Sequence, residues 1–194
     1  PEKGIPATMV GALARGEARR AGWTGKVSKP DGNGTSNVGI FGGKEGKAAG
    51  DATNVVTDYA YIQGEARSPD DAFATKIATG YKEAFTKAQA EVGDHEGAVA
   101  EMSFTHKPAY PSFRLSEDSP VAKRAARALE TLDIKPNFLF SNGGLDANWL
   151  DKHGVPTITI GAGQAEIHTV KEYVNLGEYE KGCRIAIKMA TLED

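Results

Sequence analysis

The chain has 194 residues, 40% of them hydrophobic and 25% charged, with a formal net charge of −3. That is ordinary for a folded chain of one large or two small domains. An acidic balance speaks against nucleic-acid binding, which wants a basic surface, and no apolar run approaches the roughly 20 residues of a membrane-spanning helix. A single cysteine, Cys183, rules out an internal disulfide and any multi-cysteine zinc site. The expected setting is cytoplasmic, with neither nucleic acid nor membrane as a partner.

Pro6 to Arg20 reads as a helix, because Pro6 suits a first turn and Ile5, Met9 and Leu13 recur at i, i+4. Gly22 is its stop. Lys26 to Gly34 holds Pro30, Asp31, Gly32, Asn33 and Gly34 and reads as a turn-rich loop. Thr35 to Phe41 reads as a strand, Gly42 to Gly50 as a flexible hairpin tip or insertion, and Asn54 to Glu65 as a second strand rich in Val, Tyr and Ile. Ser68 as N-cap, Pro69 at N1 and Asp71 at N3 start the next helix. Its stripe Phe73, Ile77, Tyr81 and Phe85 is the core-facing side rather than an aromatic binding platform. Val92-Gly93-Asp94 ends it. Ala98 to Thr105 alternates Ala100, Met102 and Phe104 with Glu101, Ser103 and Thr105, the pattern of a half-buried strand.

Residues 1 to about 107 therefore spell α-β-β-α-β. One strand in front would complete the ferredoxin-like sandwich. The expectation is a four-stranded antiparallel sheet with one strand vacant or supplied by another chain, and a chain that begins mid-domain at Pro1.

Pro108, Tyr110 and Pro111 make a stiff linker. Beyond it, Ser119 and Pro120 cap a helix carrying Val121, Ala125, Leu129 and Leu132. Asn137 to Phe140 and Pro156 to Ile160 read as short apolar strands around a short helix from Gly144 to Lys152. A terminal helix from Gly177 to Leu192 carries Tyr179, Cys183, Ala186, Ile187 and Ala190 on one face. Short apolar strands alternating with helices indicate part of a doubly wound α/β layer.

Of four histidines, His95 sits in a helix-ending loop, His106 at a strand end and His153 at a helix end, all ordinary surface positions. His168 follows a strand and the loop Gly161-Ala162-Gly163, where ligands of open α/β sheets bind. By itself it is a surface or capping residue or a metal ligand, and one imidazole cannot hold a catalytic zinc. Arg67 ends Gly64-Glu65-Ala66-Arg67 and would pair with Asp70 or Asp71, or fork a substrate carboxylate. Asn54 is a turn residue or a substrate contact. Gly143-Gly144 allows a tight turn, or lets backbone N–H groups approach a ligand.

Taken together, several segments resemble the dinuclear zinc exopeptidases related to peptidase T, with glutamate carboxypeptidases and aminoacylases as distant kin. They are Pro1-Glu2-Lys3-Gly4-Ile5, Thr35-Ser36-Asn37-Val38-Gly39-Ile40, Ala52-Thr53-Asn54-Val55-Val56, Gly64-Glu65-Ala66-Arg67-Ser68, Gly143-Gly144-Leu145-Asp146-Ala147 and Ile167-His168-Thr169 before Glu172-Tyr173-Val174. Their order and spacing carry the resemblance over nearly the whole chain. It implies a ferredoxin-like lid and dimerisation domain at residues 1–111, followed at 112–194 by the C-terminal part of a catalytic α/β domain. His168 would be a metal ligand. Arg67 and Asn54 would grip the substrate carboxylate or the scissile carbonyl, and Gly143 and Gly144 would line the cleft. The intact parent would hold two zinc ions, hydrolyse short peptides with a metal-activated water, and form a homodimer through residues 1–111. The family's other metal and catalytic residues would lie before Pro1, so this chain is expected to be inactive alone and to bind no zinc tightly. The contrasting reading is a non-catalytic ferredoxin-like dimerisation or binding module.

Overall fold

The computed structural model describes residues 3–50, 52–141 and 143–193. Pro1 and Glu2, which open the first motif quoted above, lie outside the described residues, as do Asp51, Asn142 and Asp194. The chain divides into two compact units, Pro1–Ser112 and Phe113–Asp194.

In the first unit, α1 (Ala7–Arg20) leads to the hairpin β1 (Gly25–Lys29) and β2 (Gly32–Gly42), then β3 (Tyr61–Arg67) and α2 (Asp71–Glu91). The strands form one antiparallel sheet in the order β1-β2-β3. Two features depart from the sequence reading. The expected loop from Lys26 to Gly34 is mostly ladder: Pro30 and Asp31 alone make the turn, and the glycines beyond it pair with β1, Gly32 to Lys29 and Gly34 to Val27. The expected strand from Asn54 begins only at Tyr61. Before it, Thr57 is tied to α1, its carbonyl accepting from Ala7 N–H at 2.9 Å and its hydroxyl lying 2.9 Å from that of Thr8.

Strand parity decides which side chains reach the core. Gly34, Ser36 and Val38 turn inward from β2, and Ile62 and Ala66 from β3. A bulge between Val38 and Ile40 then shifts the register of β2, and a bulge flips the phase of every later side chain. Phe41, paired with Ile62, consequently reaches the α1 side, where both would crowd any Cβ placed on Gly11.

Phe73, Ile77 and Tyr81 of α2 are buried and Phe85 is half-buried, so the stripe is the core face. It packs with Ala18, Val27, Val38, Ala66 and Trp23. Val10, Ala14 and Ala88 form a second cluster where α1 meets α2. Gly80 makes room for Trp23, whose indole occupies the space its Cβ would take. Polar atoms that enter this core are paired. The buried Ser36 hydroxyl bonds the Trp23 carbonyl and lies 3.1 Å from Tyr81 OH, which also meets Thr24 Oγ1 at 2.9 Å. Burial without such partners would cost about 1–3 kcal/mol per group.

The start of α2 is a correction. Asp70, not Ser68, is the N-cap, its carboxylate accepting from Ala72 N–H at 2.8 Å and Phe73 N–H at 3.2 Å. Ser68 instead donates to the Asn33 carbonyl at 2.8 Å, pinning the end of β3 to the β1–β2 turn. Ala98 to Thr105 also departs from expectation. Ala100, Met102 and Phe104 are half-buried between exposed neighbours, and Phe104 packs on Phe85 at 6.0 Å between ring centres. Yet the segment joins no ladder beyond one bridge, Gly93 to Val99. Its inward residues are placed by packing on the helices, and among the described residues no strand lies beside it.

In the second unit, α3 (Pro120–Glu130) is capped by Ser119 as expected, with Ala122, Ala125 and Ala128 buried. Then follow α4 (Asp146–Lys152), β4 (Gln164–Ala165), β5 (Tyr173–Val174) and α5 (Leu176–Thr191). The expected strands Asn137–Phe140 and Pro156–Ile160 are not in a ladder. Apolar runs of that kind form parallel strands only when covered on both faces, and here Leu139 is 81% and Phe140 60% exposed. The anticipated face of α5 is likewise turned outward, with Ile187 65% exposed, while Gly182 and Ile185 are buried. Arg124 of α3 holds the end of α5, donating to the Met189 carbonyl at 2.9 Å and to the Leu192 carbonyl at 2.5 Å.

Two expectations follow for the first unit. Gly80→Ala, which on an exposed helix would gain up to about 1 kcal/mol, should here destabilise by about 1–3 kcal/mol because Trp23 must move; urea unfolding gives the sign. Glu17 bonds Lys87 of α2 at 2.6 Å and Arg20 at 2.6 Å, and these two hydrogen bonds, Lys87 first, hold its carboxyl below the ordinary 4.5. Its stabilising effect is present above 4.5 and is lost as pH falls through the lower folded value. Acid titration of stability should therefore be shallower in Glu17→Gln than in the wild type.

Candidate functional site

Arg67 closes β3 opposite Thr35. On the parity above, Tyr61, Gln63, Glu65 and Arg67 share the sheet face turned away from α1 and α2. That places Glu65, two residues earlier, beside Arg67, and their ion pair measures 2.9 Å between Nη2 and Oε2. The two acidic residues anticipated as partners are otherwise engaged: Asp70 caps α2, and Asp71 accepts from Ser112 N–H at 3.0 Å. The Glu65 hydrogen bond is the main reason that the guanidinium pKa rises further above its ordinary value, against the opposing effect of partial burial. Arg67 Nε is buried and has no hydrogen-bond partner among the described residues. One edge of the fork is thus occupied by Glu65, the Nε–H is sealed from an incoming acceptor, and any further contact falls to the exposed part of the guanidinium. A side chain at position 34 would collide with the Arg67 carbonyl, so Gly34 keeps this strand end in register.

Asn54 is exposed in a turn spanning residues 52–55, with Val55 N–H donating to the Ala52 carbonyl at 3.4 Å. Its turn reading therefore holds and its place in a strand does not. The segment it begins is fastened to the start of α1, over the Tyr61 end of β3. Arg67 is at the other end, about 20 Å along the strand at ~3.3 Å per residue. The structure does not gather Asn54 and Arg67 into one cluster.

In the second unit, Gly143 and Gly144 precede α4 in irregular backbone. Gly143 N–H is engaged by Ser141 Oγ at 3.1 Å, so that amide is not free for an incoming oxyanion. The Leu145 side chain has no oxygen with which to cap α4. The buried Asn148 reaches back instead and accepts from Leu145 N–H at 2.9 Å.

His168 lies in a self-contained hairpin. β4 and β5 pair antiparallel, Gln164 with Val174 and Ala165 with Tyr173, and Asn175 N–H donates to the Gly163 carbonyl at 2.8 Å. Inside that clasp the loop bonds to itself. Thr169 donates to the Glu166 carbonyl through both its N–H, at 3.1 Å, and its hydroxyl, at 2.7 Å. Glu172 N–H donates to the Thr169 carbonyl at 3.1 Å. Glu166 and His168 both adopt left-handed backbone, φ 54° and 65°. The His168 imidazole is exposed and has no hydrogen-bond or ion-pair partner among the described residues. A free imidazole on an ordered loop is a donor zinc accepts, but three protein ligands are usual. No group of three or more His, Cys, Asp or Glu that could hold a metal occurs among the described residues. The described residues therefore fit one position of a metal shell and not a whole centre.

His95 stands 3.7 Å from Glu96 on the surface, and His153 closes α4 through its backbone N–H, as their sequence positions suggested. Sequence reasoning missed roles for Glu65 and Glu172. For Glu65 the signal was present, since opposite charges two apart on a strand must meet on one face. For Glu172 no local signal exists, because its partner is a backbone amide four residues away.

The sequence profile of peptidase family M20/M25/M40 matches residues 8–191. The uncharacterized protein YqjE of Bacillus subtilis (strain 168) is 28% identical over 187 residues, 96% of this chain and 45% of that protein. Peptidase T of Limosilactobacillus fermentum is 35% identical over 72 residues, 37% of this chain and 17% of its own length. The crystal structure of aminopeptidase PepT from Bacillus cereus ATCC 10987 superposes with a TM-score of 0.72 at 30% identity, covering 97% of this chain and 46% of that one. A tripeptidase from Staphylococcus aureus subsp. aureus mu50 gives 0.76 at 26% identity, with the same coverage. The chain thus spans less than half the length of these relatives. Among the described residues, no helix is long and apolar enough to cross a membrane.

Both members of the Glu65–Arg67 pair keep substantial exposure, and pairs of that kind are worth about 0.2–1 kcal/mol. Glu65→Gln should therefore leave the urea midpoint nearly unchanged. A loss of about 3 kcal/mol or more, the behaviour of a buried pair, would mean that Arg67 is a structural residue with no donor to spare.

Proposed function

The chain belongs to peptidase family M20/M25/M40, and from that premise we propose that it is the lid and the C-terminal catalytic portion of a zinc-dependent exopeptidase that cleaves short peptides. The observation that carries this reading is likeness to an aminopeptidase and a tripeptidase over 97% of the chain. The unit ending at Ser112 serves as a ferredoxin-like lid, with the segment Ala98–Thr105 as its outer strand once a neighbour is present, and it pairs two copies of the enzyme into a homodimer. The unit beginning at Phe113 is the last part of an α/β catalytic domain. Its unpaired apolar stretches, Asn137–Phe140 and Pro156–Ile160, join a larger sheet there.

Within that enzyme Arg67 binds the carboxylate of the peptide. Its partly exposed guanidinium and its near-permanent charge suit such a contact. Asn54, at the other end of β3, takes a separate substrate contact, at the scissile carbonyl. Gly143 and Gly144 line the cleft as slender backbone rather than through their amides, since that of Gly143 is engaged. His168 supplies one metal ligand. Two zinc ions, when bound in the whole enzyme, would polarise the carbonyl and acidify a water. The described residues supply one ligand of that centre, so no step of hydrolysis is assigned to them beyond holding substrate and metal.

Three measurements test this. The purified 194-residue chain with added zinc should show no hydrolysis of a tripeptide; zinc-dependent turnover abolished by His168→Ala would overturn the view that other residues are required. In the full-length enzyme, Arg67→Ala should cost about 1.5–3 kcal/mol, the worth of a charge-assisted contact, expressed mainly in KM if the contact is equal in ground and transition states. His168→Ala should lower bound zinc and collapse kcat, with partial rescue by excess metal. Full zinc occupancy and normal kcat in that variant would reduce His168 to a loop residue.

A further inference from the structure

The hairpin that carries His168 holds two non-glycine residues, Glu166 and His168, in left-handed backbone. That conformation costs an L-residue roughly 1–2 kcal/mol and persists where the surroundings over-determine it. The ladder of β4 with β5 closes the hairpin but does not reach the apex. The Thr169 bonds fix Glu166 through its carbonyl. His168 itself is held by one contact, its N–H donating to Glu172 Oε2 at 3.0 Å. Its imidazole contributes nothing to its own placement, having no bond among the described residues.

We propose that Glu172 is a positioning residue, whose carboxylate accepts the His168 amide proton and holds His168 left-handed so that its imidazole stays directed outward and unencumbered. The carboxylate has a second reason to be there. Glu172 directly precedes β5, so its backbone is fixed by the clasp while its side chain turns back across the loop. A charged acceptor makes a stronger bond to an amide than a neutral one, which suits a contact that opposes backbone strain. Partners that orient a metal-binding histidine through its ring typically weaken metal binding 10–100-fold when lost, and Glu172 orients the residue through its backbone amide instead. The proposal rests on the reading of His168 as a ligand only for its consequence; the conformational claim stands on the hairpin alone.

The test uses two samples. In the isotopically labelled 194-residue chain, backbone chemical shifts report the sign of φ at residue 168, and amide exchange reports the Glu172 bond. Glu172→Ala should shift His168 out of the left-handed range and speed its amide exchange about tenfold, the equivalent of ~1.4 kcal/mol. Glu172→Gln, which keeps an acceptor oxygen, should restore most of both. The double variant Glu172→Ala/His168→Gly should keep the Gln164–Val174 clasp, since glycine adopts this backbone freely; it shows that Glu172→Ala acts through residue 168 and not by unfolding the hairpin. In the full-length enzyme, bound zinc should fall roughly 10–100-fold in affinity in Glu172→Ala and recover in Glu172→Gln. Unchanged φ and exchange at His168 in Glu172→Ala would overturn the proposal, even if His168→Ala proves to lose zinc. Zinc retained in His168→Ala would instead sink the ligand reading, and leave the conformational role to be judged by the shifts.

Discussion

The stripe Phe73, Ile77 and Tyr81 on α2 meets the inward residues of β1, β2 and β3, and the rest of the first unit depends on that contact. A helix repeats its face every 3.6 residues and a strand every two. Only one registration of the sheet puts Val27, Val38 and Ala66 together beneath the stripe. Once it is set, the odd-numbered residues of β3 must face away. Glu65 and Arg67 therefore meet on the open face without any contact between them needing to drive it. Arg67 is placed by the core rather than by its ion pair with Glu65.

The ends of the elements complete that placement. Asp70 caps α2 and Ser68 ties the end of β3 to the Asn33 carbonyl. A capped helix start and a pinned strand end lie within a few residues of Arg67. Charge-assisted recognition gains most when the fork is already oriented, and an arginine on a strand between two such anchors meets that condition. Asn54 differs: its turn is exposed, and its nearest fixed point is Thr57 against the start of α1. Asn54 thus lies in the turn region before β3, and Arg67 closes that strand at its far end.

The second unit reaches order by another route. Its buried residues are small or few: three alanines on α3, Ala147 and Asn148 on α4, and Gly182 and Ile185 on α5, while large apolar side chains on its irregular stretches face outward. Its most self-sufficient piece is the hairpin around His168, which is closed by backbone bonds and needs no core. Polar self-bonding can hold a strained histidine in place where little apolar surface is buried, because each bond acts locally.

Much was legible in the sequence. The helices α1, α2 and α3, the core stripe, the Ser119 cap and the family likeness all follow from periodicity, cap chemistry and ordered motifs, which are local quantities. The candidate residues Arg67 and His168 were legible as positions, and their surroundings were not. Pairing decided the rest. Whether Lys26–Gly34 was loop or ladder, whether Ala98–Thr105 or Asn137–Phe140 became strands, and which face of α5 was buried depended on what lay alongside. Backbone groups in a strand are satisfied by neighbours distant in the chain, so an alternating pattern states which side chains turn inward but not whether a ladder forms. The Glu172 bond to the His168 amide belongs to the same class. A side chain accepting from a backbone N–H leaves no periodic trace, and only the closed hairpin brings the two together.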